Sequence, residues 1–283
     1  MIHEIKPHKY HVDYKPNKPV EGDIFLIYGD NKLLMRVDEE DNISYPALNE
    51  IQQKYPDACS KAKFMFRIDN QDYYEIRSFE VEPFDNYTYH GLEELRITKP
   101  AYKAFAGITG AQIHNWYTDT TFCGRCGKKL IPKDDERAMM CPDKECGKVY
   151  YPTISPSVIV AITNEDKILL TKYAGGHSNR YRRYALVAGY AEVGETLEDT
   201  VKREVMEEVG LKVKNIRYYK SQPWSFSGTL LAGFFCEVDG NTNVTLDETE
   251  LSEATWFKRD EMPETVSAIS LTNEMIEYFR NNK

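Results

Sequence analysis

The stretch from Gly189 to Leu211, GYAEVGETLEDTVKREVMEEVGL, constrains the fold more than any other part of the chain. Thr196 and Asp199 stand at capping-box spacing and predict a helix starting at Leu197. Gly210 suits the left-handed residue that ends a helix. Leu197, Val201, Val205 and Val209 recur every four residues and form its buried stripe. Glu204 and Glu208 fall beside that stripe, with Glu207 slightly further round. Carboxylates gathered next to an apolar face repel one another and lose hydration, which is costly without compensation. A hard divalent cation resolves the conflict, because Mg²⁺ or Mn²⁺ takes oxygen ligands, keeps several waters and also binds phosphates. The plainer reading is a solvated helix on which Arg203 pairs with Glu207 at i+4. Gly189 and Glu195, set in the preceding loop, favour the metal site.

Gly189, Glu195, Arg203, Glu204, Glu207, Glu208 and Gly210 together resemble the signature box of the Nudix hydrolases, with no departure at a defining position. The resemblance implies an α/β/α sandwich with a mixed sheet. It implies metal-assisted attack of water on a diphosphate linked to a nucleoside. Glu204, Glu207 and Glu208 would hold Mg²⁺ or Mn²⁺, Arg203 would orient them, and Glu250 corresponds to a further carboxylate near the metals. Glu195, Glu207 and Glu250 are the candidates for general base.

Four of the six cysteines cluster as Cys123-Gly-Arg-Cys126 and Cys141-Pro-Asp-Lys-Glu-Cys146. Two close pairs at this separation suit tetrahedral Zn²⁺ held by thiolates in a closed, structural site. A glycine follows each pair (Gly127 and Gly147) and eases the tight turn that presents backbone amides to sulfur. Disulfides are the alternative, disfavoured in a reducing compartment. Cys59 and Cys236 stand alone and read as small apolar residues.

A chain of 283 residues accommodates two modest domains or one with appendages. Apolar content of 41% and charged content of 29% describe a globular protein, and its longest apolar runs are too short to span a bilayer. Met1 to Tyr10 is polar and basic and has no secretory-signal character, so a cytoplasmic setting is expected. A net charge of −9 argues against generic or sequence-specific nucleic-acid binding, although not against a small anionic ligand held through a metal.

Three regions follow. Residues 1–118 form an α+β domain, with hairpins predicted around Gly29-Asp30-Asn31 and around Asp69-Asn70-Gln71-Asp72. Leu92–Ile97 and Ala101–Trp116 read as helical. No catalytic constellation is visible there, and His3, His8, His11, His90 and His114 read as ordinary residues. Residues 119–152 form the zinc ribbon and residues 153–283 the catalytic domain. In that domain, strands are predicted at Val158–Thr163, Lys167–Thr171, Tyr184–Val187, Lys212–Ser221 and Thr229–Val238, with a last helix over Ser270–Asn281.

The box is silent on substrate. Ser221-Gln222-Pro223-Trp224-Ser225-Phe226-Ser227-Gly228-Thr229 resembles the SQPWPFPxS array of NADH pyrophosphatases, with Ser225 and Ser227 in place of two prolines and Thr229 in place of the closing serine. The ribbon, the Trp116 segment before it and Tyr150-Tyr151-Pro152 after it also stand in that family's order. This resemblance implies hydrolysis of NADH or NAD at the pyrophosphate to nicotinamide mononucleotide and AMP. It implies a base held between Tyr151 and Tyr190, nucleotide hydrogen bonds from Gln222 and Thr229, and a homodimer. The same chemistry would remove an NAD cap from RNA. Trp224 and Phe226 read equally well as core packing. The competing readings are a broader ADP-ribose-type pyrophosphatase, a non-catalytic Nudix nucleotide sensor, and a zinc-ribbon adaptor. The retained box carboxylates oppose the sensor, and the acidic balance opposes the adaptor.

Overall fold

In the computed structural model, two buried surfaces sandwich one long strand, and the sequence shows why. Along Ser155–Asn164, alternate side chains enter different cores. Val158, Val160 and Ile162 pack with Val201, Val205 and Val209 of the box helix. Ile159 and Ala161 pack with Leu271, Met275, Ile276 and Phe279 of the last helix. A period of two in the strand and near four in the helices therefore produces helix, sheet, helix in layers. Each fully buried Val, Leu or Ile contributes about 1.5–3 kcal/mol, so these stripes fix which face of each helix turns inward.

The structure describes residues 1–77, 79–175, 183–264 and 269–282. The chain divides into two compact units: Ile2–Thr153 with Ser225–Ser227, and Met1 with Ile154–Trp224 and Gly228–Lys283. The second unit holds a mixed six-stranded sheet. Ser155–Asn164 runs parallel to Thr229–Val238 and antiparallel to Val187–Tyr190, with Ser157 opposite Tyr190 and Val158 opposite Gly189. Lys167–Tyr173 joins it through a tight turn at Glu165-Asp166, with Glu165 at a positive φ, and then pairs with Leu251–Lys258. The box helix is Leu197–Val209. Thr196 caps it by accepting from the Asp199 amide, and Gly210 ends it at φ 68°. The last helix, Leu271–Asn281, is capped by Ser270 in the same manner.

Three sequence expectations shift. The strand placed at Tyr184–Val187 lies at Val187–Tyr190, with only an isolated bridge at Ala185. Leu251–Lys258, not foreseen, is a full strand whose Glu253 is bonded by Lys172 and Tyr184 at 2.6 and 2.7 Å. The segment after the box helix continues as strand through Trp224, so Gln222 sits in a sheet rather than a loop.

In the first unit, Lys63–Ile68 and Gln71–Glu75 form the second expected hairpin, two residues tighter than the sequence suggested. The first expected hairpin also forms, but its leading strand splits. Ile24–Leu26 runs parallel to Gln71–Glu75, while Tyr28–Gly29 turns through Asp30-Asn31 into Lys32–Val37. Both turn residues have positive φ, the conformation that two-residue hairpins favour. Leu92–Arg96 is a 3₁₀ turn and Ala101–Asp119 an α-helix. Short strands at Ile131–Pro132, Met139–Met140 and Val149–Tyr150 make the ribbon's own sheet.

Candidate functional site

Arg203 organises the acidic end of the box. Its Nε donates to Glu195 Oε1 at 2.7 Å, and its Nη1 donates to Glu204 Oε1 at 2.7 Å and Glu207 Oε2 at 2.9 Å. Nη2 donates to the Tyr190 carbonyl and to Glu195 Oε2, both at 2.9 Å. One guanidinium thus ties three carboxylates of loop and helix to the end of strand Val187–Tyr190. Glu195 also accepts from the Glu192 amide and the Thr200 hydroxyl. These bonds, Arg203 foremost, hold its carboxyl far below the usual range, at about 2.

Glu204 and Glu208 differ from Glu195 because they are withdrawn from water. Glu204 is 9% exposed and Glu208 3%. The Glu204 carboxyl lies against the backbone of Gly189, where any side-chain carbon would overlap it. That contact is the physical reason for glycine at this place in the motif. Burial raises the pKa of Glu204 despite Arg203. Burial, with the charges of Glu204 and Glu250, pushes Glu208 up to about 8. Glu208 Oε2 is buried and has no hydrogen-bond partner.

Glu250 reaches this region through a turn on the helix C-terminus. The Asp247 amide donates to the Glu208 carbonyl at 3.0 Å, and Asp247 accepts from Thr249 N and Oγ1. The Glu250 amide then donates to Asp247 O, and its carbonyl accepts from Ala174 N. Glu207 and Glu250 are exposed. An orphaned buried oxygen beside acidic neighbours fits a hard cation, so Glu204, Glu207, Glu208 and Glu250 are the residues that would hold Mg²⁺ or Mn²⁺.

The four ribbon cysteines come together with their sulfurs within 4.8 Å of one another. Cys123 and Cys146 are 3.6 Å apart, Cys126 and Cys141 3.4 Å. Those separations exceed an S–S bond of about 2.05 Å and approach the roughly 3.8 Å between sulfurs around tetrahedral zinc. None of the four is joined in a disulfide. Gly127 and Gly147, both at positive φ, close the two turns by donating to Cys123 O and Asp143 O. The Tyr150 hydroxyl accepts from Gly124 N at 2.9 Å and lies 3.4 Å from Cys123 Sγ. The site is a structural Zn²⁺ ribbon with its ligand set complete.

The expected nucleotide contacts fare differently. Tyr190 and Tyr151 are 53% and 58% exposed. They belong to different units. The strand's pleat turns Gln222 inward, where it is fully buried. Its Nε2 donates to Ile269 O at 2.8 Å and its Oε1 accepts from Leu271 N at 2.6 Å. Both amide atoms are engaged at the start of the last helix. Thr229 is buried too. Trp224 is half-buried, and the Arg96 guanidinium lies 4.1 Å from the Phe226 ring centre, so Phe226 packs against protein. Cys236 is fully buried, as its sequence context suggested, whereas Cys59 is only partly so.

A helix-borne set of acids on a mixed sheet, preceded by a four-cysteine ribbon, defines a Nudix architecture with an attached zinc module. Residues 153–279 match the NUDIX domain and residues 119–151 match the NADH pyrophosphatase zinc ribbon domain, so the chain carries a Nudix domain preceded by a zinc ribbon. Over 154 residues it is 45% identical to the NAD-capped RNA hydrolases NudC of Salmonella heidelberg (strain SL476) and Salmonella schwarzengrund (strain CVM19633). The match covers 54% of this chain and 58% of those relatives' length. A crystal structure of a NUDIX hydrolase from Nitrosomonas europaea is 25% identical, with a TM-score of 0.48, covering 56% of this chain and 90% of that one. Among the described residues, no helix is long and apolar enough to cross a membrane.

Proposed function

We propose that the protein hydrolyses the pyrophosphate bond of NADH or NAD, giving nicotinamide mononucleotide and AMP. The observation that carries this reading is the partnerless, buried Glu208 oxygen beside Glu204, within reach of the Glu250 charge. Bound Mg²⁺ or Mn²⁺ would neutralise these acids, bind the diphosphate and lower the pKa of water. The chain's own residues do the rest. Arg203 keeps Glu204 and Glu207 in place. Glu195, with its oxygens occupied and its pKa near 2, anchors Arg203 and is a poor proton acceptor. Glu207 and Glu250, exposed, are the candidates for taking the proton of the attacking water. Tyr190 and Tyr151, each exposed on its own unit, are each proposed as a stacking residue for a base, at about 1–3 kcal/mol per base.

Removal of an NAD cap from RNA is a second activity of the same site, since the bond broken is identical and the relatives carry that name. We further propose a homodimer in the cytoplasm, on the resemblance of about residues 100–283 to the ribbon-bearing family. The deciding experiment compares kcat/KM for NADH, NAD⁺, ADP-ribose, diadenosine diphosphate and NAD-capped RNA under Mn²⁺. Faster turnover of ADP-ribose than of both nicotinamide dinucleotides would overturn the substrate while leaving the chemistry. No turnover of any of them would favour the sensor.

A further inference from the structure

A cavity of about 800 Å³ lies wholly within the first unit, far in sequence from the box. Behind its wall sits Glu75, at 0% exposure. Its Oε1 is 2.8 Å from Arg77 Nε and its Oε2 is 2.9 Å from His114 Nδ1. One buried carboxylate therefore hydrogen-bonds His114 and ion-pairs with Arg77, and both side chains line the cavity. Because His114 Nδ1 is engaged by the Glu75 carboxylate, its Nε2 is the nitrogen left facing a ligand, as an acceptor for a ligand N–H or O–H. The Arg77 guanidinium rests 4.3 Å from the Tyr117 ring centre, leaving its Nη groups for planar recognition of an anion. Tyr28 backs the His114 ring at 4.9 Å and is itself locked by donating to the Gly107 carbonyl at 2.7 Å. Lys129, from the zinc ribbon, adds a cation, and Phe79 and Tyr89 add apolar wall.

As a device for stability this arrangement is poor. Ion pairs taken out of water roughly break even against apolar packing of the same volume. A helix-to-strand tie could be made by two apolar residues at less risk. Buried charge that aims cationic donors into an aromatic-walled cavity instead matches the make-up of small-molecule sites. Asp30, Glu80 and Glu82 also line the cavity, so an anionic group must seat at Arg77 and Lys129, its two fixed cations.

We propose that this cavity is a second ligand site, for an aromatic ring carrying an anionic group, of mononucleotide size. Arg77 and Lys129 hold the anionic group, His114 Nε2 accepts from a ring N–H or a hydroxyl, and the ring lies among Tyr117, Phe79 and Tyr89. The site stands apart from the hydrolytic reading and does not depend on it.

Met139 also lines the cavity and provides a local probe. The full-length protein, labelled with ¹³C at methionine methyls and with Met139 assigned through Met139→Leu, is titrated with AMP, adenosine and inorganic phosphate. AMP should shift the Met139 resonance saturably, and the two fragments should do so at least about tenfold more weakly, since each forfeits one half of the contacts. Arg77→Ala should weaken AMP by roughly tenfold, the scale of one charged hydrogen bond. Lys129→Ala, an exposed position whose change leaves Glu75 paired, repeats the test if Arg77→Ala fails to fold. Glu208→Gln, altered only in the box, should leave the Met139 shift unchanged. A Met139 resonance that ignores AMP, that follows phosphate alone as strongly, or that responds equally in folded Arg77→Ala and Lys129→Ala overturns the proposal.

Discussion

The cysteine cluster and the carboxylate cluster both gather metal ligands, and they are built on opposite plans. In the ribbon, two glycine-closed turns bring all four sulfurs within 4.8 Å; among the described residues no other set of three or more potential ligands is that close. In the box, the acids are held apart. Arg203 takes up Glu195, Glu204 and Glu207, Glu208 lies buried, and Glu250 arrives on a separate turn. A closed set leaves a metal no position to offer a substrate, which suits a structural role. A dispersed set with exposed members leaves room for waters and phosphates, which suits catalysis.

The largest effect that can break this comparison is loss of the zinc. Cys123 and Cys141 lie in one small core with Leu130, Met139, Trp116 and Tyr117, so the ribbon and the end of helix Ala101–Asp119 should loosen together. Apparent zinc-binding energies of small domains run to about 10–16 kcal/mol, far more than such a core supplies. Elemental analysis should find one zinc per chain in the native protein and none in Cys141→Ser, with a large fall in Tm. A zinc-loaded Cys141→Ser protein would contradict the closed four-thiolate set.

Next in size are Glu207→Gln and Glu208→Gln. Each should fold, and each should lose turnover by at least about a hundredfold, because a metal ligand serves both the nucleophile and the phosphate charge. Retention of near-normal rates with both Mg²⁺ and Mn²⁺ would sink the assignment of these acids.

How much of this was legible in the sequence follows from how local each feature is. The box helix, its Thr196 cap and its Gly210 end rest on contacts a few residues apart, and the structure has them where spacing put them. The reason for Gly189 was not legible, since it depends on Glu204 folding back against a strand that only the tertiary structure supplies. The surroundings of Gln222 were not legible, because its motif resemblance says nothing about pleat direction, and the pleat turns it onto Leu271. Strand Leu251–Lys258 was missed because charged and polar residues interrupt its alternation, and their partners Lys172 and Tyr184 are distant in sequence. His114 read as ordinary for the same reason: its partner Glu75 lies 39 positions away.

A smaller effect sharpens the account of the box. Gly189→Ala places a methyl in the space of the Glu204 carboxyl, which Arg203 holds at 2.7 Å. The carboxyl must leave either the backbone or the guanidinium. Turnover should drop by about tenfold, the cost of one misplaced charged hydrogen bond, with a modest fall in Tm. An unchanged rate would mean that Glu204 does not need its observed position.

The smallest effect concerns protons. Glu208 has its pKa raised from 4.5 to about 8, mainly by burial. A carboxyl raised on folding favours the folded state while it is protonated. Below about pH 4.5 it is protonated in both states and the contribution is fully present; between 4.5 and 8 the unfolded chain ionises and the contribution drains away, and it is gone above 8. Glu195, lowered to about 2, works the other way, but its contribution is complete above about 4.5 and so is constant in this window. Without added divalent cation, Tm should therefore fall from pH 5 to pH 9 by several degrees more in the native protein than in Glu208→Gln. Added Mn²⁺ must displace that proton, so its stabilisation should grow with pH up to about 8 and then level off. Scanning calorimetry of the two proteins across this range, with and without Mn²⁺, reads both slopes. Identical slopes in native and Glu208→Gln protein would show that the buried carboxyl is not the group that titrates, and the contrast between an open acidic site and a closed thiolate one would then rest on geometry alone.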